Sequence, residues 1–184
     1  MDGTHFWRCE LTDNDVIRLF LAELNTQMTA IGHTVSILQS YQPTKQGAAT
    51  APAMYFYKIG DRRLGSPRRL SEWDALTGAM IDYDTQLVET TFQLSALVRQ
   101  PDTLTASDIL NDAAMVMQSE QFIKTLKAGG VGILRVGEIR NPYFEDDRDQ
   151  FQAMPSFDFV VSYNRTVNRP GKVITTFVTA IDRV

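Results

Sequence analysis

Apolar residues first recur at helical spacing and then alternate with polar ones. Val16, Ile17, Leu19, Phe20, Leu24, Met28 and Ile31 keep close to a 3.6-residue period behind Thr12, a residue type that caps helix N-termini, and Gly32 follows as a stop. This predicts a first helix. Thr34 to Tyr41 then reads as a short strand closed by Pro43, and Ala53 to Ile59 (AMYFYKI) as a second strand of aromatic and branched residues. Between them PTKQGAATAP, near 43–52, is small, polar and bracketed by prolines, which predicts a flexible loop or arm. Gly60, Gly65, Pro67 and Gly78 punctuate the stretch that follows, and the region near 60–84 is expected to form an extended hairpin or arm.

The plainest strand is LVETTFQLSALVRQ, Leu87 to Gln100. Val88, Thr90, Phe92, Leu94, Ala96 and Val98 share one face, and Glu89, Thr91, Gln93 and Ser95 share the other. A second helix is predicted from a Thr105-x-x-Asp108 capping box to Gly129-Gly130, with a bend or interruption near Ser119. Val131–Ile139, Ser156–Val167 and Lys172–Ile181 complete the strands, the last two joined by an expected turn at Asn168-Arg169-Pro170-Gly171. This order predicts one α+β domain over residues 1–184: an antiparallel or mixed β-sheet, two main helices packed on one face, and a terminal β-hairpin. The 184 residues suffice for a substantial core.

Charge and composition remove several classes of function. A net charge of −4 argues against a whole-domain footprint for nucleic acid. The single Cys9 leaves neither a disulfide framework nor a cysteine cluster for zinc, and suits a reducing compartment. No secretory signal or membrane-spanning run is expected. His5 and His33 lack metal-ligand spacing, Lys127 to Gly132 is placed to end a helix rather than to open one on a phosphate, and GxSxG, CxxC and GxGxxG are absent. No catalytic, cofactor or metal residue is expected, so the reading is not an enzyme.

The acidic run EDDRDQF has no glycine at which a calcium loop could turn, and its clustered acids suit a solvated loop better than a catalytic pair. A docking role fits it as well. Asp61 to Arg69 carries Arg62, Arg63, Arg68 and Arg69 against one acid, net +3, whereas Glu145, Asp146, Asp147 and Asp149 surround one arginine, net −3. Opposite patches on one chain can pair head-to-tail between copies, and such contacts close into rings when the rotation permits.

At VETTFQLSALVRQ and SFDFVVSYNRTVNRPGKVITTFVTAIDRV the chain resembles neck or tail-terminator proteins of tailed bacteriophages, above all those with contractile tails; the likeness extends to the order of elements. That resemblance implies a structural virion protein without catalytic residues. It implies a hexameric ring that caps the tail tube and sheath, meets a head-completion or connector protein, and lets DNA pass through its lumen. Such a protein is assembled in the host cytoplasm and ends in the virion neck or tail. Two rival readings remain: a ligand-binding or enzymatic α+β domain using Tyr55, Tyr57, Trp73, His33 or Asp158, and an adaptor that forms no ring.

Overall fold

The computed structural model describes residues 11–39, 52–98, 103–145 and 151–172, with 143–145 and 151–153 described by their backbone. The elements run α1 (Asp13–Ala30), β1 (Ser36–Gln39), β2 (Ala53–Asp74), β3 (Ala79–Leu97), α2 (Ala106–Met117), α3 (Glu120–Ala128), β4 (Val131–Val136), β5 (Tyr143–Glu145), β6 (Phe151–Ala153) and β7 (Ser156–Pro170). Five strands form one sheet in the order β1-β2-β3-β7-β4, and β5 pairs with β6 separately. Only β1 and β2 are parallel within the large sheet, so the α+β fold has a mixed sheet.

The predicted helix ends hold in detail. Thr12 caps α1 and shares a reciprocal capping box with Asp15; Thr105 and Asp108 do the same for α2. Each box satisfies backbone donors that the first helical turn leaves unpaired. The second helical pattern is indeed interrupted at Ser119, whose hydroxyl accepts from Phe122 N and starts α3. The described chain therefore has three helices where two main ones were expected. Gly32 and Gly130 take φ of +91° and +80°, a region costly for any residue with a Cβ, and so end α1 and α3. Replacing Thr105 by alanine should cost about 1 kcal/mol, read as a lower midpoint in urea unfolding with an unchanged slope.

Alternation fixes which face of the sheet is buried. Val88, Thr90, Phe92, Leu94 and Ala96 of β3 line up with Met54 and Phe56 of β2 and with Phe157, Phe159, Val161 and Tyr163 of β7, all buried against the helices. At the centre the Phe20 ring of α1 stacks on Phe159 (4.7 Å, 14°) and Phe56 (5.5 Å), and meets Phe122 edge-on (5.6 Å, 82°).

Two expectations change. The strand predicted as Val131–Ile139 ends at Val136, after a register shift between Ile133 and Arg135. Asn168, Arg169 and Pro170, expected as a turn, continue β7 and pair with Tyr83, Asp82 and Ile81. The physical reason is lateral support: Arg169 reaches Asp84 on β3, and Gly171 N donates to Met80 O at 2.7 Å. Pro170 sits at the strand's end, where a missing N–H is tolerated. The expected second strand of the terminal hairpin lies outside the described residues beyond Lys172, as does the expected loop up to Ala51.

Candidate functional site

β2 and β3 run far past the helices. Buried apolar side chains stop at Val88 on β3 and Tyr163 on β7, yet β2 and β3 remain paired out to Asp74 and Ala79, with β7 alongside as far as Pro170. Nine residues of strand beyond Val88 make an arm roughly 30 Å long. Thr166 is the one buried residue on it among those described, and it shares a 3.0 Å hydroxyl hydrogen bond with Thr85.

A polar cluster fastens the base of this arm to α1. A bulge between Lys58 and Gly60 brings Lys58 and Asp61 onto the same face of β2, opposite Phe92 and Thr90. Lys58 Nζ reaches Asp13 Oδ2 and Asp61 Oδ2, each at 2.6 Å, while Tyr163 OH donates to Asp13 Oδ1 and Thr90 Oγ1 to Asp61 Oδ1, also at 2.6 Å. Burial pushes the Asp13 carboxyl up, but hydrogen bonds from Lys58 and Tyr163 outweigh it and hold the group below its ordinary value. Burial likewise lowers Lys58, and its two carboxylate partners more than compensate, so its ammonium titrates above the usual lysine range. No sequence motif signals this cluster, because Asp13 and Tyr163 lie 150 positions apart.

The four arginines expected to dock stand on β2 and are exposed. They do not share one environment. Arg69 is turned onto Asp84, with its Nε 3.0 Å from Oδ1, and Arg169 takes the other carboxylate oxygen. Arg62, Arg63 and Arg68 make no ion pair among the described residues. In register Arg62 stands opposite Glu89, Arg63 opposite Val88 and Arg68 opposite Thr85. Of the acidic set, Glu145 ends β5 with its backbone opposite Phe151, whereas Asp146, Asp147 and Asp149 lie outside the described residues.

The tip of the arm has a defined shape. Asp74 accepts from Leu76 N (3.0 Å) and Thr77 Oγ1 (2.6 Å), and Gly78 N donates to Asp74 O (2.8 Å). This turn leaves Leu76 98% and Trp73 57% exposed.

The residues named for a ligand site do not converge. Tyr55, Tyr57 and Asp158 alternate with buried neighbours and stand on the sheet face turned away from the helices, where Asp158 is held by Gln93 Nε2 (2.8 Å) and Arg140 Nη2 (2.5 Å). His33 lies on the other side, its Nε2 2.7 Å from Asp112 Oδ2 of α2, and Trp73 is out on the arm. Among the described residues no group of three or more His, Cys, Asp or Glu could hold a metal ion, and no helix is long and apolar enough to cross a membrane.

The fold has a counterpart among solved structures. The sheath/tube terminator of the PVC extracellular contractile injection system, in its extended state, matches with a TM-score of 0.56 at 10% sequence identity, over 95% of this chain and 64% of that one. The present chain thus spans just under two thirds of that terminator. No curated protein matches by sequence. The resemblance to phage neck and tail-terminator proteins read from the sequence is met by a second, independent finding. The family model of the E217 gateway protein gp29 matches residues 15–171, from the first turn of α1 to the end of β7, and the chain belongs to that family.

Proposed function

We propose that the chain is the subunit of a tail-terminator or neck ring, which caps the tail tube and sheath and offers the surface to which the head is joined. The observation that carries this reading is the gateway-family match over most of the chain, and the likeness of the fold to that of a sheath/tube terminator supports it. The architecture suits the role. A helix-backed sheet supplies a rigid body, and a charged arm beyond that body can reach a neighbouring subunit. On this reading the work is structural and needs no catalytic residue or cofactor. Copies assemble as a hexamer, contact tube and sheath below and a head connector above, and leave a lumen through which DNA passes without specific contact. The protein then resides in the virion neck or tail after assembly in the host cytoplasm.

Ring closure is assigned to opposite charges. Arg62, Arg63 and Arg68 are free to meet the Glu145, Asp146, Asp147 and Asp149 run of the next copy, while Arg69 stays on Asp84 and shapes the arm. Asp84 would otherwise face no cation but Arg169. Reversing Asp146 and Asp147 to lysine should abolish rings at physiological salt and leave the thermal midpoint unchanged, read by light scattering and negative-stain images. Reversal of Arg62 and Arg63 to glutamate in the same chain should restore them. Rings that survive the acidic reversal with the same salt dependence would overturn the charge assignment. A strict monomer, both alone and beside purified tail tubes, would overturn the ring itself.

A further inference from the structure

Among the described strands β2 is an edge for most of its length, because β1 covers only Ala53 to Phe56. From Tyr57 outward its second side is unpaired by any described strand. Such an edge is a template for another strand unless it is blunted. Its inner part is blunted: register shifts fall between Lys58 and Gly60 and between Leu64 and Arg68, and Gly65 and Pro67 lie within the second. The outer part is different. From Arg68↔Thr85 to Asp74↔Ala79 the register is regular over seven residues, none of them glycine or proline, and Leu70 and Trp73 are exposed.

 That outer segment is RRLSEWD, and it contains no residue that interrupts a ladder.

The charges along it are polar in order: Arg68 and Arg69 come first, Glu72 and Asp74 last. A second copy laid antiparallel about a two-fold axis at Ser71 brings Arg68 opposite Asp74 and Leu70 opposite Glu72 on one face, and Arg69 opposite Trp73 on the other. Each contact occurs twice. Opposite charges in directly facing positions stabilise a strand pair. A parallel copy in register would instead set arginine against arginine. We propose that Arg68–Asp74 is a self-complementary β-edge through which two copies of this chain pair antiparallel, centred on Ser71. This contact does not rest on the ring reading. It shares Arg68 with the head-to-tail contact proposed above, so the two are alternatives, and the paired form shields the edge of subunits not yet in a ring.

The test is a self-crosslinking scan in full-length chain with Cys9→Ser, so that the introduced thiol is the only one. Residues facing each other across the axis have Cβ atoms about 4.5–5.5 Å apart, near the reach of a disulfide. Across the same axis Arg69 and its copy are about 13 Å apart. Ser71→Cys should therefore give a covalent dimer on mild oxidation at a rate at least about tenfold above Arg69→Cys or Trp73→Cys alone. A mixture of Arg69→Cys and Trp73→Cys chains should crosslink to each other, which keeps the test valid if Ser71→Cys disturbs the Ser71–Asp82 hydrogen bond. Crosslinking that peaks at another position, or equal rates at all three, would overturn the pairing. Unassembled subunits that give no Ser71 crosslink, in a preparation that still forms sixfold rings, would overturn the pairing and leave the ring standing.

Discussion

Truncation of Phe159 to alanine is expected to lower the unfolding free energy by about 3–5 kcal/mol, the range for removing a buried aromatic ring from a packed core. Phe159 is the position where this cost should be fully felt. It is completely buried, its ring lies 4.7 Å from Phe20, 5.6 Å from Phe92, 6.0 Å from Phe56 and 6.2 Å from Phe157, and its backbone is held between β3 and β4. Neighbours pinned in a central strand cannot collapse into the space, so both the lost contacts and the cavity count. The midpoint of thermal unfolding should fall by roughly 10 °C at this chain length. A loss under about 1 kcal/mol would mean that the aromatic stack is not the organising contact between α1 and the sheet.

The second large effect belongs to Asp13. Replacement by asparagine removes a carboxylate that accepts from both Lys58 and Tyr163, and should cost about 1–2 kcal/mol at neutral pH, less than a fully buried charged hydrogen-bond pair because Asp13 is partly exposed. Its pH dependence identifies the cause. The folded Asp13 titrates below the ordinary 3.8, so its contribution is complete above that value and is lost as pH falls through the depressed one. Lys58 titrates above the ordinary 10.5, so its contribution is complete below that value and is lost as pH rises through the raised one. The stability gap between the native chain and Asp13→Asn should therefore be widest between about pH 5 and pH 10 and close at both ends. A gap that stays constant from pH 2 to pH 7 would place the effect in packing instead of charge. Asp15 and Asp108 add to the acid limb of both proteins alike, since hydrogen bonds from Thr12 and Thr105 hold their carboxyls low.

Binding of the arm's base to α1 gives these two effects a shared functional consequence. The aromatic stack positions α1 on the sheet, and the Asp13–Lys58–Asp61 cluster ties α1 to the point where β2 leaves the body. Loosening either should let the arm vary in direction before it unfolds the chain. A ring contact made by Arg62, Arg63 and Arg68 depends on that direction, because Arg62 and Arg63 follow the first register shift of β2 and Arg68 follows the second.

Local signals were enough for the helices and for the buried faces of the strands. Thr12, Thr105 and Ser119 each lie directly before a helical apolar pattern, and capping depends on neighbours three residues away, so the sequence determines those starts without help from distant parts. The alternation in β3 likewise determined which side chains meet the core, since a one-residue slip would reverse every one of them. The basic and acidic runs were visible for the same reason, being contiguous in the chain. What only the tertiary structure decided depends on partners far apart. Asn168-Arg169-Pro170 has turn chemistry, yet a paired β3 and the Asp84 carboxylate draw it into a strand. Arg69 looks equivalent to Arg68 in sequence, and the same carboxylate takes it out of the docking set. Lys58 and Asp61 share a face only because a bulge offsets the two-residue period, and Asp13 and Tyr163 meet them through helix-on-sheet packing. Short-range hydrogen bonds and periodic burial are written in adjacent residues; the geometry of the arm arises from contacts that exist only once the chain has closed on itself.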